Sequence, residues 1–485
     1  MRGWRFPVFL ALLAVATTLL VLAVRGQAGI PISLLVAGGT VVTMNPANDV
    51  IPDGAVAVDH DRIVAVGPAD ELAARYQASD RLDVRGQVVM PGLINGHTHA
   101  PMVLYRGLAD DLALMDWLQH YIFPAEAKTV SPDFVRVGTR LAALEMIESG
   151  TTTFTDMYYF EDDIAEVTRQ AGLRGILGQS VIQFPVADAK TPDEALLRAE
   201  AFIKKWKGDP LITPAVAPHA AYTVEASTLK AVRALADKYG VPVLIHLAET
   251  RDEVKTIEDA HHQSPTQYLD SLGLWNGPAV AAHGIWLDDA DIKTLAMRGV
   301  GVVHNPESNM KLASGIAAVP KWLAAGVHTG LGTDGAASNN DLDMFGAMRV
   351  AAFLQKVATQ DPRVLPARQA VELATRKGAE ALGLGAEIGS LEAGKQADLI
   401  TVSMDDARQT PMYDAISHLV YVSNGADVRN TIVAGRLLMR DRQVLTLNKA
   451  DVLRDARAMA SRVRAAVAPP QPPTKKENNQ PRENR

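Results

Sequence analysis

The chain of 485 residues contains no cysteine. This absence excludes disulfide bonds, a thiolate nucleophile and every zinc site that uses a cysteine ligand. It also removes the Pro-Cys-x-x-Cys half of the zinc signature of nucleobase deaminases. No Gly-x-Ser-x-Gly elbow, Walker loop or His-Glu-x-x-His motif occurs, which excludes the common serine-hydrolase, phosphate-binding and zincin interpretations. A bound metal would therefore depend on imidazole and carboxylate ligands.

The chain also lacks an excess of positive charge. It has 48 Lys and Arg against 55 Asp and Glu, a formal net charge of −7, and no basic block interrupts its body. Because nucleic-acid binding depends largely on clustered Lys and Arg, we expect no nucleic-acid partner. The length and the hydrophobic content of 48% are typical of a globular protein with a large barrel and a smaller domain.

The N-terminus indicates a compartment. Arg2 and Arg5 precede an apolar run at about residues 8–24, and small residues follow at Gly26 and Ala28. This order predicts a secretory signal peptide over residues 1–28. The run is also just long enough to cross a bilayer, so membrane anchoring through residues 6–24 is the alternative. Either version predicts an exported protein that is periplasmic, or anchored in the inner membrane with its catalytic domain facing the periplasm.

Short β-strand patterns with turn residues occupy two distant parts of the chain, residues 33–90 and 389–445. We expect both parts to form one small β-sandwich domain. Residues 446–468 are expected to form a C-terminal helix. Residues 469–485 are rich in Pro, Asn and charge, have almost nothing to bury, and are expected to be disordered.

Apolar strands alternate with helical stretches over residues 91–388, which is typical of βα units around a parallel sheet. The predicted strands are Gly92–His97, Thr151–Met157, Arg174–Val181, Ile212–His219, Pro242–Glu249, Ala279–His283, Val300–Asn305 and Val327–Asp334. Eight strands over this length predict an α/β fold with a (β/α)8 TIM barrel. On strand count alone, a doubly wound sheet is also compatible.

Polar residues end several of these apolar strands. They are His97 and His99 after the first strand, His246 and Glu249 after the fifth, His283 after the sixth and Asp334 after the eighth. Because the C-terminal strand ends build the active site of a TIM barrel, these residues should converge. The His-x-His spacing places both imidazoles on one side of the strand. Three imidazoles and a carboxylate suit Zn²⁺, with Fe²⁺ or Mn²⁺ as alternatives, and leave a position for water.

Each of these residues also has an ordinary structural interpretation. His246 could be a satisfied core histidine, and Asp334 could be a helix N-cap. As a set they are hard to explain by packing, because buried polar groups are unfavourable unless they are paired or ligating. The Gly-x-Gly-x-x-Gly match at Gly330–Gly335 is not a dinucleotide site, because it comes at the last barrel strand rather than opening the first βα unit.

With these motifs in place, the chain resembles the amidohydrolase superfamily from about Leu34 to Leu445. The similar branch contains the 5-methylthioadenosine/S-adenosylhomocysteine deaminases and their s-triazine hydrolase relatives. The motifs are Pro91-Gly-Leu-Ile-Asn-Gly-His97-Thr-His99-Ala, Ile245-His246-Leu-Ala-Glu249, Ala281-Ala-His283-Gly, Val303-His304-Asn-Pro-Glu-Ser-Asn309 and Gly332-Thr-Asp334-Gly-Ala-Ala-Ser-Asn-Asn340.

The resemblance implies one divalent metal per chain, first of all Zn²⁺, and hydrolytic deamination of an adenine ring. His97, His99, His246 and Asp334 would hold the metal, whose Lewis acidity activates water. Asp334 would also take a proton from that water, and His283 would hydrogen-bond the attacking hydroxide. Glu249 would protonate the ring nitrogen and then assist the loss of ammonia.

The resemblance also assigns substrate contacts. Glu126 would bind the ribose, His219 would make a second sugar contact, and Trp117 would line the pocket near the 5′ substituent. His304 is expected to contribute to substrate binding with Glu249. Without the resemblance, Glu126 would be interpreted as a surface acid and Trp117 as a helix-packing aromatic.

One segment departs from the homocysteine-accepting members of the branch. They carry arginines after the third strand that suit the amino-acid carboxylate, whereas Gln179–Lys190 has none and Lys190 is its only cation. Lysine is not a bidentate substitute for arginine. Methylthioadenosine, adenosine or another heteroaromatic ring therefore stay open as the substrate, and S-adenosylhomocysteine becomes doubtful.

Two hypotheses compete with nucleoside deamination. An aminohydrolase or chlorohydrolase acting on another ring, of the s-triazine, pterin or guanine type, would use the same metal site. Retention of Glu249 favours loss of an amine, because a poor leaving group needs a proton donor. A non-catalytic exported binding protein on the same scaffold is the alternative from another class. A homo-oligomer is compatible with every one of these functions.

Overall fold

The computed structural model describes residues 29–467. The predicted signal peptide or anchor and the predicted tail lie outside the described residues. Within the described range, no helix combines the length and the apolar content that crossing a membrane requires.

The described strands belong to two sheets. They are β1 (Ile30–Val42), β2 (Val50–Asp59), β3 (Arg62–Pro68), β4 (Tyr76–Asp83), β5 (Gln87–Pro91), β6 (Leu93–Thr98), β7 (Thr151–Tyr158), β8 (Arg174–Val181), β9 (Ile212–Pro218), β10 (Val243–Leu247), β11 (Ala279–His283), β12 (Gly301–His304), β13 (His328–Leu331), β14 (Leu399–Ser403), β15 (Val428–Val433), β16 (Arg436–Arg440) and β17 (Gln443–Val444).

Helices connect and cover these strands. The α-helices are Ala69–Arg75, Leu114–Asp116, Phe123–Thr129, Pro132–Ser149, Glu161–Ala171, Pro192–Trp206, Ala226–Tyr239, Arg251–His261, Pro265–Ser271, Asp289–Arg298, Pro306–Lys311, Val319–Ala324, Met344–Thr359, Ala367–Leu373, Arg376–Ala381, Ala415–Tyr421 and Lys449–Val467. Trp117–Ile122 is a π-helix, and short 3-10 helices occur at Ala100–Tyr105, Leu274–Asn276, Ala407–Gln409 and Gly425–Asp427.

Strands β6 to β13 form an eight-stranded parallel barrel in sequence order. All eight predicted strands are present, with ends within three residues of the predicted ones. Strands such as β6 and β7 are buried at every residue, as expected for parallel strands that are covered on both faces. The predicted α/β barrel is confirmed.

The barrel is nearly closed, and its seam lies between β6 and β13. No ladder joins these two described strands. Instead, the backbone N–H of Asp334 donates to the carbonyl of His97 at 3.0 Å, and the N–H of Thr333 donates to Asn95 Oδ1 at 3.0 Å. Gly332 allows this approach, since a Cβ there would meet the backbone nitrogen of His97 at 2.8 Å. The metal-ligand motifs themselves therefore close the barrel.

The strands from both chain ends form a separate sheet. Hydrogen bonds join nine strands into one sheet, β17-β16-β15-β14-β5-β1-β2-β3 with β4 on β1, where a sandwich would have two. The reason is β1, which pairs with β4 in its first half and with β5 after Gly38 and Gly39. Alternate β1 residues enter different apolar clusters, Leu34 one and Leu35 the other, because side chains alternate between the two faces.

The C-terminal helix Lys449–Val467 lies on the barrel. Its buried residues Val452, Ala456, Met459 and Val463 recur at helical spacing. This face packs on Pro132–Ser149 and Phe123–Thr129. The helix therefore supports the segment that precedes the barrel's first long helix.

Candidate active site

A cavity opens at the C-terminal ends of the barrel strands, and the space in it and in its open mouth that holds no protein atom is about 650 Å³. The predicted site residues His99, His246, Glu249, His283 and Asp334 all line it. The convergence follows from the topology, because parallel strands present their C-terminal ends at one side of the barrel.

The four predicted metal ligands lie together. The Nε2 atoms of His97 and His99 are each 3.4 Å from Asp334 Oδ1, and His246 Nε2 is 3.3 Å from His99 Nε2. Two ligands at zinc distances from a tetrahedral ion are about 3.4 Å apart. These three spacings therefore fit a divalent metal, and the donor atoms form two close groups that share His97, namely His97/His99/Asp334 and His97/His246/His283.

Hydrogen bonds fix the tautomers of two of these imidazoles. His99 Nδ1 donates to the carbonyl of Met157 at 2.7 Å, and His246 Nδ1 donates to the carbonyl of His219 at 2.9 Å. Because a carbonyl only accepts, each Nε2 carries a lone pair that points at the other. Two lone pairs at this distance repel unless a cation lies between them, and buried His97 Nε2 likewise has no hydrogen-bond partner. The donor set fits a metal site.

Burial sets the electrostatics of this cluster. Burial lowers the pKa of His97 to about 4 and that of His246 well below its ordinary value, so both stay neutral and able to ligate. Burial acts to raise the pKa of Asp334, but its interactions with the imidazoles of His97, His99 and His283 outweigh burial and hold the pKa well below its usual range. Asp334 is therefore a carboxylate.

The second oxygen of Asp334 is held by two hydroxyl groups. Ser308 Oγ donates to Asp334 Oδ2 at 2.7 Å and Ser338 Oγ at 2.8 Å. This leaves Oδ1 facing His97 and His99. Both serines lie inside motifs quoted above, but the sequence alone did not assign them a role.

Glu249 and His283 face each other across the site. His283 Nε2 is 3.9 Å from Glu249 Oε2, and His283 Nδ1 is 2.9 Å from Asn309 Oδ1. Burial raises the pKa of Glu249, whereas the opposing effect of burial on His283 is outweighed by the charge of Glu249, which raises its pKa. Glu249 is thus suited to hold and donate a proton.

The outer wall of the cavity comes from the helical segment 114–129 and the end of β7. Trp117, Leu118 and Ile122 line it from the π-helix, and Glu126 lines it from the following turn. The Tyr158 hydroxyl donates to Glu126 Oε1 at 2.7 Å. The structure therefore brings Trp117 and Glu126 to the same cavity as the metal donors, and it adds Tyr158, which sequence reasoning missed.

The other two predicted substrate contacts, His219 and His304, differ in whether they reach the cavity. His219 lines the cavity and its Nδ1 is 3.0 Å from Thr223 Oγ1. His304 is fully buried against the edge of Trp322 and does not line the cavity. The short strand β12 ends at His304 and turns its ring into the barrel packing, so a direct substrate contact does not follow from this geometry.

A barrel with three imidazoles and a carboxylate converging at its C-terminal end, beside a buried carboxylic acid, defines a metal-dependent hydrolase. The profile described as the amidohydrolase family matches residues 88–438, and the chain belongs to this family. A second, short match, to the imidazolonepropionase-like composite domain of bacteria, covers residues 54–76.

Two similar proteins align with about nine tenths of this chain. A 5-methylthioadenosine/S-adenosylhomocysteine deaminase from Syntrophobacter fumaroxidans is 49% identical over 431 residues, which are 89% of this chain and 98% of the relative. A 5'-deoxyadenosine deaminase from Methanosarcina mazei is 41% identical over 90% of this chain and 99% of its own length.

Solved structures agree with the fold. An adenosine deaminase from Xanthomonas campestris, with bound zinc, is 42% identical with a TM-score of 0.89, covering 90% of this chain and 100% of that one. An atrazine chlorohydrolase from Arthrobacter aurescens, complexed with zinc, is 23% identical with a TM-score of 0.82 over 88% of this chain and 100% of that one. The latter likeness concerns the fold alone.

Proposed function

We propose that this chain is a zinc-dependent deaminase of adenine nucleosides whose 5′ substituent is uncharged. It breaks the bond between the ring carbon and its amino group, forms a bond from that carbon to a water oxygen, and releases ammonia. The names of relatives at 41–49% identity support this reaction class. The intact set of metal donors and the buried acid Glu249 argue against a non-catalytic binding protein.

The proposed mechanism divides the work among the site residues. A divalent metal held by His97, His99, His246 and Asp334 would supply the Lewis acidity that activates water. Glu249 donates its proton to the ring nitrogen, which draws electrons from the carbon under attack. Asp334 takes one proton of the attacking water and passes it to the departing amine. The second proton of that water returns to Glu249 as the carbon–oxygen double bond forms and ammonia leaves. His283, oriented by Asn309, hydrogen-bonds the attacking oxygen through Nε2.

The restriction on the 5′ substituent depends on one observation. Among the described residues that line the cavity, none is Lys or Arg, and the outer wall consists of side chains such as Leu114, Leu118, Ile122 and Phe123. A homocysteine substituent would bring a carboxylate against this wall without a cation to pair it. Methylthio, deoxy or hydroxyl groups carry no charge and avoid that penalty.

A substrate series tests the proposal. We expect ammonia release from 5'-methylthioadenosine, 5'-deoxyadenosine and adenosine, with kcat/KM for S-adenosylhomocysteine at least about tenfold lower. A tenfold difference corresponds to about 1.4 kcal/mol, a modest value for an unpaired charge. Equal kcat/KM for S-adenosylhomocysteine would contradict the restriction, and turnover of an s-triazine but no nucleoside would contradict the reaction.

A substitution that adds a positive charge next to the cavity wall provides a second test. Phe184 lies in the segment without arginines, is partly exposed, and packs against Phe123 with ring centroids 5.5 Å apart. Phe184→Arg should raise kcat/KM for S-adenosylhomocysteine relative to methylthioadenosine. Neither residue 184 nor residue 187 lines the cavity itself, but Phe184 contacts Phe123 in the cavity wall, whereas Ala187→Arg adds the same charge at another exposed position of the segment. It should leave the ratio unchanged.

We propose one zinc ion per chain, because the two donor groups found among residues 29–467, His97/His99/Asp334 and His97/His246/His283, share His97, and because the adenosine deaminase neighbour has bound zinc. Metal analysis of the purified protein should give a stoichiometry near one. Two equivalents that both depend on His97 would contradict this.

We also propose export through the N-terminal segment, on the basis of Arg2, Arg5 and the apolar run after them. A fusion of residues 1–28 to a reporter that is active only outside the cytoplasm tests it. The same reporter fused to an established signal peptide is the positive control. An inactive fusion with residues 1–28 beside an active control would contradict export.

A further inference from the structure

Glu253 is a buried acid for which the mechanism above has no use. Its side chain is 5% exposed, and it does not line the cavity. It therefore cannot touch a substrate in the site described. A buried carboxylate needs hydrogen-bond donors, so the question is what it binds.

Its two oxygens bind two successive backbone N–H groups. The N–H of Ala248 donates to Glu253 Oε1 at 3.0 Å, and the N–H of Glu249 donates to Glu253 Oε2 at 2.8 Å. Burial raises the pKa of Glu253 to about 7, against the opposing effect of these two N–H groups, and in the ionised form of Glu253 both hydrogen bonds are charge-assisted. The carboxylate of Glu253 thus binds the backbone of Glu249, the proposed proton donor.

This contact is not the one the local sequence indicates. Thr250-x-x-Glu253 is the pattern of a capping box, in which the glutamate would bind the N–H of Thr250. Thr250 does cap the helix Arg251–His261, accepting from the N–H of Glu253 at 3.1 Å. The Glu253 side chain instead reaches past the cap to the two residues before it. This departure from the common pattern places the carboxyl group of Glu253 against the backbone of Glu249.

The backbone that Glu253 holds is unfavourable by itself. Ala248 has φ +48°, a left-handed conformation that residues with a Cβ rarely adopt. The Ala248 carbonyl is also held, by the N–H of Trp286 at 3.0 Å. This turn separates the metal donor His246 from Glu249 and swings the Glu249 side chain into the cavity, 3.9 Å from His283.

We infer that Glu253 is a positioning residue for the deamination, acting through the backbone of Ala248 and Glu249 to aim the Glu249 carboxyl at the substrate ring. Metal binding does not require it, because no metal donor contacts its carboxylate. The inference rests on the proposed role of Glu249, and the test below separates the two.

The test is a double-mutant cycle with Glu253→Gln and Glu249→Gln, assayed on 5'-methylthioadenosine. Gln has the size of Glu, but one of the two acceptor oxygens becomes an NH2 group. That NH2 donor would face a backbone N–H donor, so one hydrogen bond is lost. We expect Glu253→Gln to lower kcat by about 10- to 100-fold, typical of groups that orient a catalytic residue, with KM within about twofold. Bound zinc should be unchanged.

Non-additivity is the decisive readout. If Glu253 acts through Glu249, then adding Glu253→Gln to Glu249→Gln should change kcat by less than about threefold. The same loss in both backgrounds, a loss of zinc, or an unchanged kcat in Glu253→Gln would each overturn the inference. Full activity of Glu249→Gln would instead overturn the proposed acid itself.

Two further variants control for folding. Glu258→Gln makes the same change at an exposed position of the same helix and should keep full activity. If Glu253→Gln does not fold, Glu253→Asp keeps the charge and shortens the reach by one methylene. It should show the same kcat loss and the same non-additivity, and additive behaviour there would overturn the inference.

Discussion

At three strand ends of the barrel, a residue other than glycine adopts a left-handed backbone. Ala248, His283 and Asp334 have φ values of 48°, 76° and 63°. Such conformations cost about 1–3 kcal/mol each and persist only where neighbouring groups hold them. Here Glu253 binds the backbone N–H of Ala248, the carbonyl of His97 binds the N–H of Asp334, and Asn309 holds the ring of His283. Strain at these residues is therefore tied to the orientation of the side chains that do the chemistry.

The metal donors give the first prediction at this scale. Metal-free protein should have a lower Tm than zinc-loaded protein, because bound zinc removes the repulsion between the facing lone pairs of His99 and His246. A ligand at 1,000 times its Kd stabilises by about 4 kcal/mol. Thermal unfolding with and without added zinc measures it. His97→Ala should abolish the increase, and an equal Tm in both states of the native protein would contradict the prediction.

Glu126 gives a pH prediction. Burial raises its pKa to about 7, against the opposing effect of the Tyr158 hydroxyl. Since the raised pKa leaves Glu126 neutral below about pH 7, its carboxylate is available to sugar hydroxyls only above that pH. KM for methylthioadenosine should therefore rise as the pH falls from about 8 to about 6. Glu126→Gln should remove this dependence, and a KM that is flat in the unaltered protein would contradict it.

The sequence pointed to the proposed metal donors but not to the residues around them. His97, His246 and Asp334 interrupt long apolar runs, and this contrast is visible in the chain alone. Ser308 and Asn309 lie in a quoted motif, but their contacts with Asp334 and His283 join segments that are distant in the chain. Nothing local marks the contact of Tyr158 with Glu126. Glu253 matched a capping pattern, so its actual partners could only be found in three dimensions.

At the scale of elements, strands were easier to predict than helices near the cavity. The barrel strands are buried apolar runs, and β8 and β11 begin and end where they were predicted. The π-helix Trp117–Ile122 was not predicted, because its geometry depends on packing rather than on a local pattern. The single sheet of nine strands also depends on a change of partner within β1, which alternation alone does not reveal.

The C-terminal helix gives the prediction for elements. Met459 is a buried residue of the helix Lys449–Val467, which packs on Phe123–Thr129, the helix that carries Glu126. Met459→Ala should lower the free energy of unfolding by about 2 kcal/mol and raise KM with little change in kcat. Denaturant unfolding and steady-state kinetics measure both. Arg457→Ala, on the exposed face, should change neither, and an unaltered KM in Met459→Ala would contradict the proposed support.

At the scale of the molecule, one buried ion pair joins the barrel to the sheet. Arg174, at the start of β8, donates from Nε to Asp398 Oδ2 at 3.0 Å and from Nη2 to Oδ1 at 3.2 Å. The N–H of Ala434 donates to the same carboxylate at 2.7 Å. The two parts of the chain are thus coupled by charge as well as by apolar packing.

Removing one partner of this pair should be strongly destabilising. Asp398→Ala leaves the Arg174 guanidinium buried without its counter-charge, and we expect a loss of about 3–5 kcal/mol in the free energy of unfolding. Urea unfolding measures it. Asp259→Ala removes an exposed partner of Lys255 and should give no measurable loss. A loss at Asp398 as small as that at Asp259 would contradict the prediction.

The seam between β6 and β13 has a consequence for the order of folding. Asn95 and Thr333, which hydrogen-bond across it, are 238 positions apart in the chain. Contacts that close so long a loop form late, since the entropy of the chain must be overcome first. His97 and Asp334 therefore meet only when the last βα unit has docked. Zinc uptake during refolding should report the final step of assembly, and a partly folded chain should have no complete site to fill.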